Sequence, residues 1–417
     1  MAEKNAHSEA KPKTQPPRLR SAPLAGVLSA TLVLAWLVYL VVAPDPSNFQ
    51  PPPPLAEQEA AVSEASAPEP PDTQLRVLLW RNVLGPDALS EFESESGLTV
   101  VAERYNTFQD LTSRLDSGSF NYDVVIASGM GMPAMIERGV LQPLPDSSIQ
   151  GTGGLNPAVV DSVRNYDSDL TYTVPLLWGT LGLSFDRMQA AQRLDADIEI
   201  DSWSFLFDPL MAGKFADCGV QVVDAPGGVF AVALSYLGLP HDSPEVEDTD
   251  AAAQLWEGVR SSIRKFSTSD IVDGLSGGQI CMGMTASGDA YQAALKSRES
   301  GAARDIAYVI PKESTVVWHA VAALPTAART ERAGAFISYL LRPEVAARIT
   351  NATGFSSAVT DANLYVKPEI KNNPAMSPAF DSLENAVLEK VPSPAGASLR
   401  QKFWQLINAP AQPASEN

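Results

Sequence analysis

Between residues 74 and 139 short apolar runs alternate with helical patterns, and that alternation limits the fold more than anything else in the chain. "QLRVLLW" (74–80) reads as a buried strand. In "GPDALSEFESESG" (85–97) Pro86 sits near a helix start, apolar residues recur at helical spacing, and Gly97 is a stop. The same order recurs twice. Strand "LTVVAERY" (98–105) precedes helix "FQDLTSRLDSG" (108–118), and strand "YDVVIAS" (122–128) precedes helix "GMPAMIERG" (131–139). Strands alternating with helices over short loops predict an α/β fold, a parallel sheet covered by helices. Ligands on such sheets sit beyond the carboxyl ends of the strands. Those ends carry Trp80-Arg81-Asn82, Tyr105-Asn106-Thr107 and Ser128-Gly129-Met130, which marks a candidate pocket.

A second series begins near "YTVPLLWGTLGLSFD" (172–186). It runs through strand "GVQVVDAP" (219–226), helix "FAVALSYLG" (230–238), a helix expected over 251–266, "QICMGMTASGDAYQAAL" (279–295) and "IAYVIPKES" (306–314). "VVWHAVAALPTAA" (316–328) reads as a strand crossing out of this series. Two amphipathic helices follow over 331–355, broken at Arg342-Pro343. A chain of 417 residues is too long for one ordinary core and accommodates two lobes.

The N-terminus adds a compartment. Residues 24–43, "LAGVLSATLVLAWLVYLVVA", carry no charge, and twenty helical residues at ~1.5 Å each span the ~30 Å hydrocarbon core. Lys4, Lys11, Lys13, Arg18 and Arg20 precede the run, and 44–73 contain no Lys or Arg. The positive-inside rule therefore predicts a cytoplasmic tail over 1–23, a signal anchor over 24–43, and the remainder outside, anchored to the inner membrane. A cleaved signal peptide is the alternative; its apolar stretch is usually ~7–15 residues, and Val41-Val42-Ala43 followed by Pro44 is a poor cleavage site. The Pro-, Ala-, Glu- and Ser-rich stretch 44–73 cannot bury a core and reads as a disordered linker.

A net charge of −19 argues against nucleic acid and anionic lipid as partners. It leaves two readings, a self-repelling soluble surface or attraction for cations. Cys218 and Cys281 have no metal-ligand spacing with His7, His241 or His319, so no metal and no cofactor is expected. The cysteines form either one disulfide or two buried thiols; an oxidising space favours the bond, which would close a loop of ~60 residues and stabilise by roughly 4 kcal/mol. No nucleophile elbow, phosphate loop or His/Cys arrangement is present, so an enzyme is not expected.

Several segments resemble the periplasmic putrescine-binding proteins and their spermidine-binding relatives: 218–243, 279–295, "VIPKES" (309–314), 336–349, 122–128 and "VPLLWGT" (174–180). The likeness runs over nearly all of 74–410 and is nearest to the putrescine-binding branch. It implies a two-lobed periplasmic binding protein fold of the type II solute-binding class. Lobe 1 would be 74–177 plus 318–362, and lobe 2 178–317 plus 363–410. It also implies a Cys218–Cys281 disulfide, hinge closure on a small polyamine or related amine, and delivery to an ABC permease or a membrane receptor.

A polyamine carries an ammonium at each end, so its site needs carboxylates at the ends and aromatic walls between. Mapped from the resemblance, the ligand-binding positions are Trp80, Arg81, Asn82, Ser128, Asp289, Trp318 and Phe355. The family's acids fall on Asn82, Gly228 and Ala320, and a wall tryptophan falls on Ala286. An ammonium left uncompensated at such a place costs ~2–5 kcal/mol, so tight diamine binding in the family's manner is not expected. If Arg81 points inward, it suits a zwitterion such as an amino acid or an acylated polyamine. The alternative function is then a tethered sensor module with a changed or lost ligand. Each position also has a structural alternative: Trp80 and Trp318 as core aromatics, Asp289 as a helix cap, Arg81 on the rim, Asp224 shaping the Pro226 turn, and His319 as a buried histidine.

Overall fold

The computed structural model describes residues 73–80, 83–117, 121–145, 148–302, 304–380, 383, 386–389 and 394–408, all within the compact unit Ser66–Asn417. The expected anchor (24–43), most of the expected linker, and Arg81 and Asn82 lie outside the described residues. Among the described residues, no helix is long and apolar enough to cross a membrane.

The predicted opening alternation is present. Strand β1 (Gln74–Trp80) leads through α1 (Ala88–Ser96), capped by Gly97, to β2 (Thr99–Tyr105). Helix α2 (Phe108–Asp116) starts at Thr107, whose hydroxyl accepts the Asp110 N–H, and β3 (Val124–Ser128) and α3 (Met132–Glu137) follow. Strand β1 pairs in parallel with β2 and β3, and its Leu75, Val77, Leu78 and Leu79 are buried.

Two long strands dominate the remainder. Strand β4 (Thr173–Asp186) and a later strand, Thr315–Pro325, are buried along their whole lengths. Between them in sequence come β5 (Val220–Val222), α4 (Pro226–Tyr236), α5 (Val246–Val259), β6 (Ile263–Phe266), β7 (Met282–Ala286), α6 (Ser287–Glu299) and β8 (Ile306–Val309). The later strand is β9; after it lie α7 (Thr330–Leu340), α8 (Pro343–Thr353), β10 (Ala386–Leu388) and α9 (Pro394–Asn408). The strand order is β2-β1-β3-β9-β4-β7-β5-β6.

The chain is thus two-lobed about the β4–β9 pair. One half of each strand serves each lobe. Ala320–Ala323 of β9 pair with Ser128–Val125 of β3, whereas Leu181–Phe185 of β4 pair with Ala286–Met282 of β7. The two strands pair antiparallel with each other from Val317↔Thr180 to Ala323↔Thr173, with a register shift between Ala320 and Val321. Strand β10 adds in parallel to the start of β9, matching Ala386 to Thr315 and Leu388 to Val317.

One reading is corrected. The helix expected over 251–266 ends at Val259, and Ile263–Phe266 form β6. Ile263 and Phe266 are buried while Arg264 and Lys265 are exposed, and pairing with β5 outweighs the helical spacing. The break at Arg342-Pro343 stands as expected, with Pro343 opening α8. Cys218 and Cys281 form a disulfide with Cα atoms 5.6 Å apart, joining the segments that lead into the neighbouring parallel strands β5 and β7.

Asp123 fastens the lobe containing β1 and β3. It is 1% exposed, and its carboxylate accepts the Arg76 N–H at 2.8 Å and the Arg329 guanidinium at 2.6 Å. Removing one member of a buried charge pair costs ~3–5 kcal/mol. Asp123→Ala is therefore expected to lower unfolding free energy by about that amount in urea titration; a loss below about 1 kcal/mol would contradict the assignment.

Candidate functional site

The strands cross between lobes where Trp318 of β9 faces Gly179 of β4. Trp318 is 4% exposed. Its ring meets Trp80, from the end of β1, edge-on at 5.2 Å, and Phe355, from the segment after α8, edge-on at 4.9 Å. Such pairs each add ~0.5–1.5 kcal/mol beyond burial. The two tryptophans join the buried core, as their structural alternative held, and they also form one wall together with Phe355. The indole N–H of Trp318 is buried without a hydrogen-bond acceptor among the described residues.

Asp289 lies in the first turn of α6, which begins at Ser287. It is not the N-cap; that place is held by Ala286, which makes no side-chain cap bond. Asp289 is 4% exposed and close enough to Tyr308 for its charge to help raise the tyrosine's pKa, a shift due mainly to burial. A carboxylate in a helix's first turn is favoured by the helix dipole. Gly288 beside it has to be glycine: an added Cβ would overlap the Phe355 ring and lie 2.6 Å from the Thr353 carbonyl. Phe355 and the start of α6 are therefore in direct packing contact.

The opening turn of α4 carries Gly227 and Gly228, the latter where an acid was expected from the resemblance. The space beside these glycines is taken from another direction. Glu389 directly follows β10, and its N–H donates to the Val317 carbonyl at 2.9 Å. The β9–β10 register continues to place it opposite Trp318, on the face that Trp318 shares with Val316. Its Oε1 stands 3.6 Å from where a Gly227 Cβ would be and 3.8 Å from that of Gly228. The Tyr166 hydroxyl donates to its backbone carbonyl, and the Ser128 side chain hydrogen-bonds its carboxyl. Glu389 is 8% exposed, and burial pushes its carboxyl up to about 7, with the Ser128 bond opposing.

The sequence reading missed Glu389. A glutamate following "AVL" in a polar C-terminal stretch carries no local mark of a site. A three-residue strand placed against β9 is what brings it inside. Of the residues the sequence did nominate, Trp80, Trp318 and Phe355 are brought together, and Ser128 is bonded to Glu389. Asp289 adjoins Phe355 through Gly288. The Asp224 carboxylate accepts the Trp404 indole N–H at 2.9 Å and ties down α9. His319 is 1% exposed, bonded to Ser162 at 2.8 Å, and burial pushes its pKa down to about 3, so it is neutral at ordinary pH. Among the described residues no group of acids, histidines or cysteines could hold a metal ion. A groove of about 320 Å³, lined by Leu239, His241, Glu313 and Val387 among others, involves none of the nominated residues.

The described residues thus place two lobes about a crossing strand pair, with Trp80, Trp318 and Phe355 packed together at the crossing. The model of the family described as "Bacterial extracellular solute-binding protein" matches residues 87–378. The chain belongs to that family. Among curated solute-binding relatives, the Escherichia coli putrescine-binding periplasmic protein PotF is 30% identical over 80% of this chain and 91% of its own. The putrescine/agmatine-binding protein of Pseudomonas aeruginosa is 31% identical over 80% and 92%. Among solved structures, a putative spermidine/putrescine ABC transporter protein of Listeria monocytogenes superposes with a TM-score of 0.71 at 22% identity, covering 81% of this chain and 99% of that one.

The raised Glu389 carboxyl has a sign that can be checked. A carboxyl raised on folding destabilises the folded protein where it is charged. That cost is full above pH 7, shrinks on acidification and is gone below the unfolded value near 4.5. Glu389→Gln is expected to stabilise the ligand-free protein by about 3 kcal/mol at pH 8 and by nothing at pH 4, read from paired urea unfolding curves. An equal effect at both pH values would contradict a buried, raised carboxyl.

Proposed function

We propose that this chain is a periplasmic solute-binding protein that captures an aliphatic amine of the polyamine class and delivers it to an ABC importer. The observation that carries this reading is the gathering of buried aromatic faces and buried carboxyls where β4 and β9 cross. A ring favours a cation and a desolvated ammonium needs an anionic partner, so buried aromatics together with buried carboxyls support the reading. The names of the putrescine-binding relatives point the same way.

In this reading the ligand-contact residues are Trp80, Arg81, Asn82, Ser128, Asp289, Trp318 and Phe355. The lobes are 74–177 with 318–362 and 178–317 with 363–410, closing about the crossing strands. The uncharged run 24–43 anchors the protein to the inner membrane, and 44–73 act as its tether. A tether of that kind keeps a loaded binding protein near its permease at high effective concentration.

Calorimetry on the purified protein tests the reading. Putrescine is expected to bind at micromolar concentration or tighter, and Asp289→Asn to weaken it at least tenfold. Unchanged affinity in the variant would remove Asp289 from the site, and no heat with any polyamine would contradict the ligand class.

A further inference from the structure

Glu389 combines three properties. Its carboxyl is more than nine-tenths buried, it shares a strand face with Trp318, and it adjoins the two glycines that open α4. No described cation faces it. From β3 it receives the Ser128 hydroxyl, and from the segment between β3 and α3 the uncharged Met130 thioether lies near Gly227. From the segment carrying Tyr166 it receives a hydroxyl on its backbone carbonyl, from β9 the apolar Val316, and from α4 a helix start whose dipole favours negative charge. A carboxyl placed so has two ways to avoid an uncompensated charge: hold a proton or meet a cation from outside the chain.

We propose that the Glu389 carboxylate receives a ligand ammonium in the cleft and stands in for the acid absent at Gly228. The two features fit together sterically. A side chain at Gly228 would run into Leu181, and a Cβ at Gly227 would press on Met130 at 3.0 Å and approach Glu389. Glu389 itself lies at ordinary contact distance from both Cβ positions, so an acid from β10 reaches the region beside the glycines while Leu181 and Met130 exclude one from α4. The anionic charge of the cleft is relocated rather than lost, and the ligand is an amine that is charged at the end resting against Trp318. This inference rests on the amine-binding reading above and specifies its second anion.

The test is calorimetry of the full chain with putrescine at pH 7, in two buffers of different ionisation heat. The variants are Glu389→Gln and Glu389→Asp, with thermal melts to establish that both fold. Expected are a loss of affinity of at least about 100-fold in Glu389→Gln and a smaller loss in Glu389→Asp. Wild type is expected to release about half a proton per ligand at pH 7, because ammonium displaces the proton that burial keeps on part of the carboxyl population. Glu389→Asp retains that release and Glu389→Gln lacks it. A purely structural role for Glu389 would not move the proton count. Wild-type affinity in Glu389→Gln, or proton release unchanged in it, overturns the assignment while leaving amine binding intact. A wild-type protein that binds none of putrescine, agmatine, cadaverine and spermidine overturns the amine reading, and the role of Glu389 falls with it.

Discussion

The antiparallel pairing of β4 with β9 is the constraint on which the rest of the structure depends. Both strands are buried throughout, and each contributes one half to each lobe. Their backbone groups are satisfied by one another and by the strands on either side, so neither can shift register without exposing polar backbone in two lobes at once. That fixes the place where Trp318 faces Gly179, and β10, pairing with the start of β9, brings Glu389 to the carbonyl of Val317, next to Trp318 in sequence. The site therefore inherits its geometry from the connection between lobes. Closure about these strands would bring groups from α4 and α6 toward groups from β1 and β3.

The electrostatics of the cleft follow from burial. Asp289 and Glu389 are both nearly inaccessible to solvent, yet they differ in surroundings. Asp289 has the first turn of a long helix around it, whereas Glu389 has one hydroxyl and a glycine-rich helix start. Burial without a described cation raises Glu389 toward neutral pH, where a proton and an ammonium compete for the same oxygen atoms. An amine taken up by such a carboxyl would bind in a pH-dependent way. The buried His319, held neutral on the same strand, adds no positive charge to the site at neutral pH.

Much of the fold was legible because local signals agreed with tertiary demands. Gly97 and Pro343 sit at helix boundaries as their backbone preferences require, and the long apolar run at 172–186 is a strand buried on both faces. The reading failed at Ile263–Phe266, where a helical pattern continues through residues that sheet pairing claims. The aromatic wall was legible, since Trp80, Trp318 and Phe355 stand at strand ends or on the crossing strand. The anion was not. The absence of an acid at Gly228 suggested a cleft unsuited to a doubly charged amine, but a sequence shows which position lost a carboxylate and not which distant residue fills the volume. Glu389 lies 161 positions further along and enters only through the β9–β10 pairing.

A cation caught between buried carboxyls and a tryptophan face, at the strands that join the lobes, is the central claim. A crystal structure of the protein grown with putrescine tests it most directly. The expected result is one ligand nitrogen within about 3.2 Å of the Glu389 carboxyl and the methylene chain against Trp318. A ligand bound elsewhere, or a Glu389 carboxyl paired with Arg81 while the amine is held by other acids, would contradict it.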